Sequence, residues 1–555
     1  MLSAPHLSLV GTRSMLKSMP SSHFTTLPRD TNQALGIGRF ALDFMAGRLG
    51  AGPSAAVLKR TSLFHADSVF CALSALALGT NAPRLLRDEA LGYPATGGAG
   101  EAGAAVFGSS VRVKAEKAIV ANCAAVREWD SNGTNFGFNP ALGHTAGEFG
   151  HNDFYPVAVA ACQEKNLDGR TALRAMVLLD EIRGRLAEVF SLKSYKIDHV
   201  VHGAIASAAV YGALHGATAE QIESAVGMFV AHYIPWRAIR AGKQLSDSKG
   251  ASAAISTEAA VLCMRRSMRG FVGPRDIFRN PEAIFRFFEP TTQGKDRWKE
   301  TGDCPFDLVL AHSGDDFAVM GMHFKLGLYE HQSAGALQGL IDLLAKNPAL
   351  LDDAGGARIR GITIVAYEPA FGIIGNPAKK DPRTRQSADH SMAYIVATML
   401  RKALEHRART GSVPFSGGAH DEAWKALMLM PADYKVDETA IFHPLTRKLM
   451  EKIDFRHGGP EYDAKYPDGI PTSIRITDDS GRVHDSGLVM YPAGHARNTT
   501  ADLEDILARK FSLMGEIAGI DAEAAIARLS DIESASSRDM QEIYNFRFAD
   551  RGRFE

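Results

Sequence analysis

Apolar residues recur at three- and four-residue spacing through most of the first half of the chain, the pattern of helices that bury one face. It predicts helices over Gly38–Arg48, Ser62–Leu78, Ala115–Trp129, Thr171–Phe190, His202–His215, Ala219–His232 and Ser252–Arg269, often bounded by Gly, Asn or Asp. Gly92–Gly108, rich in Gly and Ala, reads as a loop leading to a short strand at Ser109–Val113. After Gly270-Phe271-Val272-Gly273-Pro274 the texture changes. Proline, aromatics and charge become frequent, Arg358–Tyr367 alternates like a strand, and Ser473–Thr477 answers it before a hairpin turn at Asp478–Gly481. Helical stretches at Ser333–Leu344 and His390–Glu405 lie between those strands, and helices return at Asp502–Ile517 and Asp521–Ser530. The expected fold class is therefore mainly α with α+β. A large all-helical domain is made from both chain ends (35–271 and 496–555), a smaller α+β domain (272–495) is inserted in it, and residues 1–34 form an N-terminal extension.

A chain of 555 residues is too long for one ordinary core, which agrees with two domains. Lys and Arg total 62 against 63 Asp and Glu, without a long basic run, so no nucleic-acid or membrane-surface partner is expected. No apolar stretch approaches the roughly 20 residues that span a bilayer, and the expectation is a soluble protein that acts on small molecules. Five scattered cysteines without a CxxC argue for a reducing compartment and against both a disulfide framework and an iron–sulfur cluster. Before Asp30 the chain carries Arg13, Lys17 and Arg29 but no acidic residue, a composition that fits a mitochondrial presequence as well as a disordered extension. The expected location is the mitochondrial matrix in a eukaryote and the cytoplasm otherwise.

The chemistry-bearing residues are far apart in sequence. Gly147-Glu148-Phe149-Gly150-His151-Asn152-Asp153 puts a histidine and carboxylates in a glycine-flanked loop, close along the chain to Asp130 and Thr134 at a predicted helix end opening to solvent. Lys249 follows Ser246 and Ser248 in a loop before a helix, where a helix N-terminus and a cation together favour an anion. Lys325, His331 and Arg240 add cations and a proton carrier. His199 and His202 stand one helical turn apart, yet no third ligand, HExxH or cysteine pair supports zinc, so neither metal nor cofactor is expected. Asp389-His390 and His495 are further candidates, each more easily read as structural.

Taken together these stretches resemble the MmgE/PrpD family. The resemblance rests on Trp129-Asp130-x-Asn132-x-Thr134, Glu148-Phe149-Gly150-His151, Asp198-His199-Val200, Lys249-Gly250-Ala251, Gly270-Phe271-x-Gly273-Pro274, Phe324-Lys325 with His331, Ala388-Asp389-His390-Ser391-x-x-Tyr394 and Tyr491-Pro492-x-Gly494-His495-Ala496-Arg497. It implies the two-domain fold, a site in the cleft between the domains, a homodimer, and metal-free proton transfer next to a carboxylate. Family activities include 2-methylcitrate dehydration, cis-aconitate decarboxylation and an epimerisation. The 388–391 and 491–497 stretches look most like the dehydratase branch, so the expected substrate is a tricarboxylate. His331 and Asn152-Asp153 depart from that branch and bear on substrate choice. The expected roles are His151 as general acid or base, oriented by Asp130 or Asp153, and His199 as its counterpart. Lys249, Lys325 and Arg240 bind and stabilise charge, with His331 and Thr134 alongside. A helical binding protein without catalysis is the alternative from another class.

Overall fold

The computed structural model describes residues 23–97, 102–240, 244–286 and 302–555. Most of the expected N-terminal extension, and with it the presequence reading, lies outside the described residues. Phe24–Met45, however, is part of the folded body. Strand β1 (Phe24–Leu27) pairs antiparallel with a distant strand, Leu308–Ala311, and Asn32 then caps α1 (Gln33–Met45) by accepting from Leu35 N.

The first half is helical, as the apolar spacing requires. After α1 come α2 (Ala55–Ala77), capped by Ser54, and α3 (Asn81–Leu91). Strand β3 (Arg112–Val113) lies within the short strand expected at Ser109–Val113 and pairs with β2 (Ala104–Ala105), which falls in the stretch expected to be loop. Then come α4 (Ala115–Arg127), β4 (Thr134–Asn135), β5 (Gly150–His151), α5 (Tyr155–Lys165), α6 (Gly169–Val189), α7 (Val200–Leu214), α8 (Ala219–His232) and α9 (Asp247–Met268). Two of these helices were not visible in the pattern. Helix α5 is apolar nearly all round, so it has no 3.6-residue stripe, and α3 carries Pro83 near its start. Helices α4, α7 and α8 all pack on α9, and α6 packs on α7.

The strand at Leu308–Ala311 is β6, and it stays with the helical body through β1 and through Ala311 N, which donates to Glu181 of α6. Beyond it a four-stranded sheet forms with order β10-β9-β7-β8, from β7 (Ile359–Ala366), β8 (Ile453–His457), β9 (Thr472–Asp478) and β10 (Val483–Asp485). The hairpin turn appears at its predicted place between β9 and β10. Strand β8, whose Ile-Asp-Phe-Arg-His alternates over only two apolar residues, too short a run to stand out, pairs parallel to β7 and was missed. This unit also holds α10 (Ala334–Lys346), α11 (Arg385–Ala388), α12 (Met392–Thr410), α13 (Asp421–Leu427), α14 (Pro444–Glu451) and α15 (Pro460–Asp463). The chain then returns to the helical body with α16 (Leu503–Ala518), α17 (Ala522–Ser530) and α18 (Ser537–Glu542).

Helix α16 lies against α2, and one residue shows how tightly. Lys510 is fully buried, pairs with Asp67 of α2 at 2.6 Å, and donates to the carbonyls of Ser131 at 2.7 Å and Lys325 at 2.9 Å. The end of the chain thereby fixes the backbone on two sides of the candidate site. All five cysteines are buried free thiols. No single helix among the described residues is long and apolar enough to cross a membrane; the bent pair α2–α3 passes by length and composition only together, and most of α2 is buried.

Candidate functional site

The site begins where α4 ends. Arg127 is its last residue, and shortly after it the backbone turns through Asp130 in the left-handed region, φ 51°, which few non-glycine residues occupy. The chain then runs straight into β4, whose partner β5 brings His151 opposite Thr134. The two strands lie close: a Cβ at Gly150 would collide with the Asn135 side chain. The expectation that Asp130 and Thr134 open to solvent is corrected here, since both are buried. Asp130 needs compensating charge, and the fold supplies it.

Four groups converge on the Asp130 carboxylate. Arg127 Nη1 lies at 2.5 Å, Lys325 Nζ donates to Oδ1 and to the Asp130 carbonyl, Lys249 Nζ stands 3.3 Å from Oδ2, and His390 Nε2 3.1 Å from Oδ2. Burial alone would raise the carboxyl, yet Arg127, Lys325, Lys249 and His390 hold it well below the usual carboxylate range. Asp389 extends the network, accepting from His390 Nδ1 at 2.6 Å and from Lys249 Nζ at 3.3 Å. Asp130, Asp389 and His390 offer ligand atoms within 4.8 Å of one another, a spacing that suits a metal ion, but Lys249, Lys325 and Arg127 already bring cationic charge to the two carboxylates.

On the open side of this network is a narrow cavity of about 60 Å³. Arg127, Arg237, Arg240, Lys249 and Lys379 line it, with His151, His199, His390 and Thr134, and its apolar wall is Phe136, Phe149, Leu245, Ile373 and Ile374. Glu330 is the one carboxyl among its described lining residues. The His151 and His199 rings are neighbours, with centroids 5.3 Å apart and planes tilted by 57°. His151 Nδ1 and both ring nitrogens of His199 have no hydrogen-bond partner among the described residues. Burial first, then the charges of Arg127 and Lys325, keep the His151 imidazole well below the ordinary histidine range. Burial likewise holds His199 down, with Arg240 and Arg237 opposing Asp198. His390 is pushed down to about 4, by burial and then by Lys249, against the pull of Asp130 and Asp389. Burial thus favours the neutral ring at His151 and His199, whereas His390 sets one nitrogen against Asp389 and the other against Asp130. Arg240 is clamped to Asp198, whereas Arg237 keeps its Nη1 buried without a partner among the described residues.

The expected site residues thus divide. Asp130, Thr134, His151, His199, Arg240 and Lys249 come together at one place. Lys249 is not in a loop: it sits in the first turn of α9 and is buried. Lys325 is behind Asp130 and does not line the cavity, so direct contact with a substrate is not what its position provides. His331 is also outside it, in a row of rings in which it stacks on His323 at 5.2 Å and His323 on His495 at 4.0 Å. That row borders a second cavity, of about 290 Å³, through His323 and His495. Asp153 accepts from Asn132 at 2.6 Å and makes no hydrogen bond to His151, nor does Asp130, so the expected orienting contact is absent among the described residues. Thr134 spends its hydroxyl on the Gly150 carbonyl at 2.8 Å. Glu148 is committed to the backbone N–H groups of Phe149 and Lys193. His202 turns away to the Phe190 carbonyl and forms no metal pair with His199.

Sequence reasoning missed Arg127, Arg237, Glu330, Lys379 and, in the role it takes here, His390. Arg127 carried a usable signal, since residues three apart on a helix end share a face.

Residues 43–296 match the MmgE/PrpD N-terminal domain. The chain is 24% identical over 334 residues to 2-methylcitrate dehydratase of Escherichia coli (strain K12), covering 59% of this chain and 60% of that protein. It is also 24% identical over 358 residues to 2-methylcitrate dehydratase, mitochondrial, of Yarrowia lipolytica (strain CLIB 122 / E 150), covering 64% and 61% respectively. The match therefore spans about three fifths of the length of each relative.

Proposed function

From the premise that the chain belongs to the MmgE/PrpD family over residues 43–296, we propose that it is a hydro-lyase that dehydrates 2-methylcitrate to 2-methyl-cis-aconitate by general acid/base chemistry without a metal. The observation that carries this reading is the lining of the cavity: five cationic side chains against a single carboxyl, beside His151 and His199, whose Nδ1 and both ring nitrogens respectively have no hydrogen-bond partner among the described residues. An anionic oxygen about 4 Å from one cation gains roughly 4 kcal/mol at an effective dielectric of about 20. Several such contacts offset the desolvation of a tricarboxylate. Arg237, whose Nη1 has no partner among the described residues, and Lys379 are the cations least committed to protein carboxylates there. Lys249 and Arg127 sit where charge accumulates as a C–H next to a carboxylate loses its proton.

A buried imidazole kept neutral is ready to accept that proton, and His151 is placed for it, with His199 beside it. Lys325 acts from behind by holding Asp130. Admission of a tricarboxylate requires the Ile373–Ile374 wall and the Arg237–Arg240 segment to move apart, because the cavity as it stands is far below the roughly 300 Å³ that ligand sites usually offer. The enzyme acts as a homodimer, in the mitochondrial matrix of a eukaryote or in the cytoplasm otherwise. Incubation with 2-methylcitrate tests the reading: the ultraviolet absorbance of a conjugated alkene rises if it holds, and stays flat if the site has another use.

A further inference from the structure

Elimination of water needs two proton carriers in opposite states, one empty and one loaded, and the histidines supply only the first. A neutral imidazole is a poor proton donor, burial favours the neutral ring at His151 and His199, and both nitrogens of His390 are already engaged by Asp389 and Asp130. The donor has to come from elsewhere on the cavity wall.

We propose that Glu330 is a further catalytic residue of this cavity and that its carboxylic acid delivers the proton to the departing hydroxyl group, a step that rests on the dehydratase reading above. The geometry singles it out. Glu330 lines the same cavity as His151 and His199, and it is the one carboxyl to do so among the described residues. Its Oε2 is pinned by the backbone N–H of Gln332 at 2.9 Å, which fixes the side chain at the head of a short 3₁₀ turn, while no hydrogen bond to Oε1 is formed among the described residues. The Glu330 backbone N–H in turn donates to the Asp389 carbonyl at 2.9 Å, which ties the donor to the Lys249–Asp389 network.

The surroundings favour the loaded state. The charged and titratable groups acting on Glu330 are Asp130 after α4, Lys325 ahead of it in its own segment, Lys249 of α9, and the phenols of Tyr367 and Tyr466. Burial and then Asp130 raise its carboxyl to about 7, against Lys325, the Gln332 backbone N–H and Lys249. The protons balance. His151 takes the proton from carbon, that electron pair becomes the C=C bond, the C–O bond breaks with its pair on oxygen, and the Glu330 proton converts the leaving hydroxide to water. Proton exchange with solvent then restores neutral His151 and protonated Glu330.

The test is the pH profile of kcat/KM for 2-methylcitrate in the wild type, Glu330→Gln and Glu330→Asp, with a thermal melt of each. The wild type should lose activity as pH rises through about 7, because the donor is then ionised. Glu330→Gln should lower kcat by about 10² to 10⁴-fold and abolish that alkaline limb, and Glu330→Asp should regain part of the rate together with the limb. A wild-type profile flat from pH 6 to pH 8, or a folded Gln variant that keeps both rate and limb, overturns the assignment. If the wild type turns over no tricarboxylate at all, the dehydratase reading has failed, which is a different result from turnover that ignores Glu330.

Discussion

Lys249 Nζ and Asp130 Oδ2 stand 3.3 Å apart with both side chains buried, the lysine in the first turn of α9 and the aspartate on the turn that ends α4. A solvated loop lysine would be removable at little cost to folding. This one is not, because it completes the compensation of two buried carboxylates, Asp130 and Asp389.

Lys325→Ala should destabilise the protein by about 3–5 kcal/mol, the usual cost of breaking a buried pair, and lower kcat through a displaced Asp130. Lys249→Ala should cost less stability, since Arg127 and Lys325 remain on Asp130, and should raise KM more, since only Lys249 of the two faces the cavity. Denaturant melts with steady-state kinetics check both. An Ala variant of Lys325 with unchanged stability would show that the ion pair does not matter to the fold.

Arg237→Ala should act the other way round. Its Nη1 has no partner to lose among the described residues, so the melting temperature should change little, while KM rises by roughly 10 to 100-fold for loss of one charge-assisted bond of about 1.5–3 kcal/mol. An unchanged KM would remove Arg237 from the binding set.

His151→Asn should lower kcat by about 10² to 10⁴-fold and leave KM and the melting temperature near the wild-type values. Should turnover survive in the folded variant, the proton-accepting role passes to His199.

Acid should unfold this protein early. His65, His151, His199, His202, His323, His331, His390 and His495 are all held below the ordinary histidine value by burial. A group depressed in the folded state contributes stability that is complete above its unfolded value of about 6.5 and is lost as pH falls towards its folded value. Glu128 and Glu330, raised to about 7, and Asp67, Glu148, Asp153 and Glu181, also raised by burial, work in the opposite sense above their unfolded values, but the eight histidines outnumber these six. Melting temperatures should drop steadily from pH 7 to pH 4.5. A flat curve over that range would mean that the rings gain protons without unfolding.

Activity should survive a chelator and exposure to air, since lysine and arginine charges are already set against the carboxylates that an ion would otherwise take. Loss on chelation with recovery on adding zinc or iron would contradict this.

Much of the fold was legible because helices with one buried face print their period in the sequence; α6, α8 and α16 lie close to where the apolar spacing puts them. Helix α5 was silent because a segment buried on all sides has no stripe, and β8 because a five-residue strand with two apolar positions, Ile453 and Phe455, is too short a pattern. At the site, the Asp130 to His151 stretch and Lys249 were readable as residue types in glycine-broken or capped contexts. Which face each side chain would take was not. Lys325 and His331 were grouped with the cavity and lie behind it, whereas Glu330, one residue from His331, faces it. That distinction depends on a single turn of backbone whose direction is set by packing far along the chain, including Lys510 on the Lys325 carbonyl.

The central claim, dehydration of a tricarboxylate in the His151 cavity, is tested most directly by NMR of the products formed from 2-methylcitrate, citrate, cis-aconitate and isocitrate with the purified full chain. The account predicts that 2-methylcitrate is consumed fastest and yields 2-methyl-cis-aconitate, with no carbon dioxide released from cis-aconitate. Release of carbon dioxide, inversion of a stereocentre without loss of water, or four unchanged spectra would contradict it.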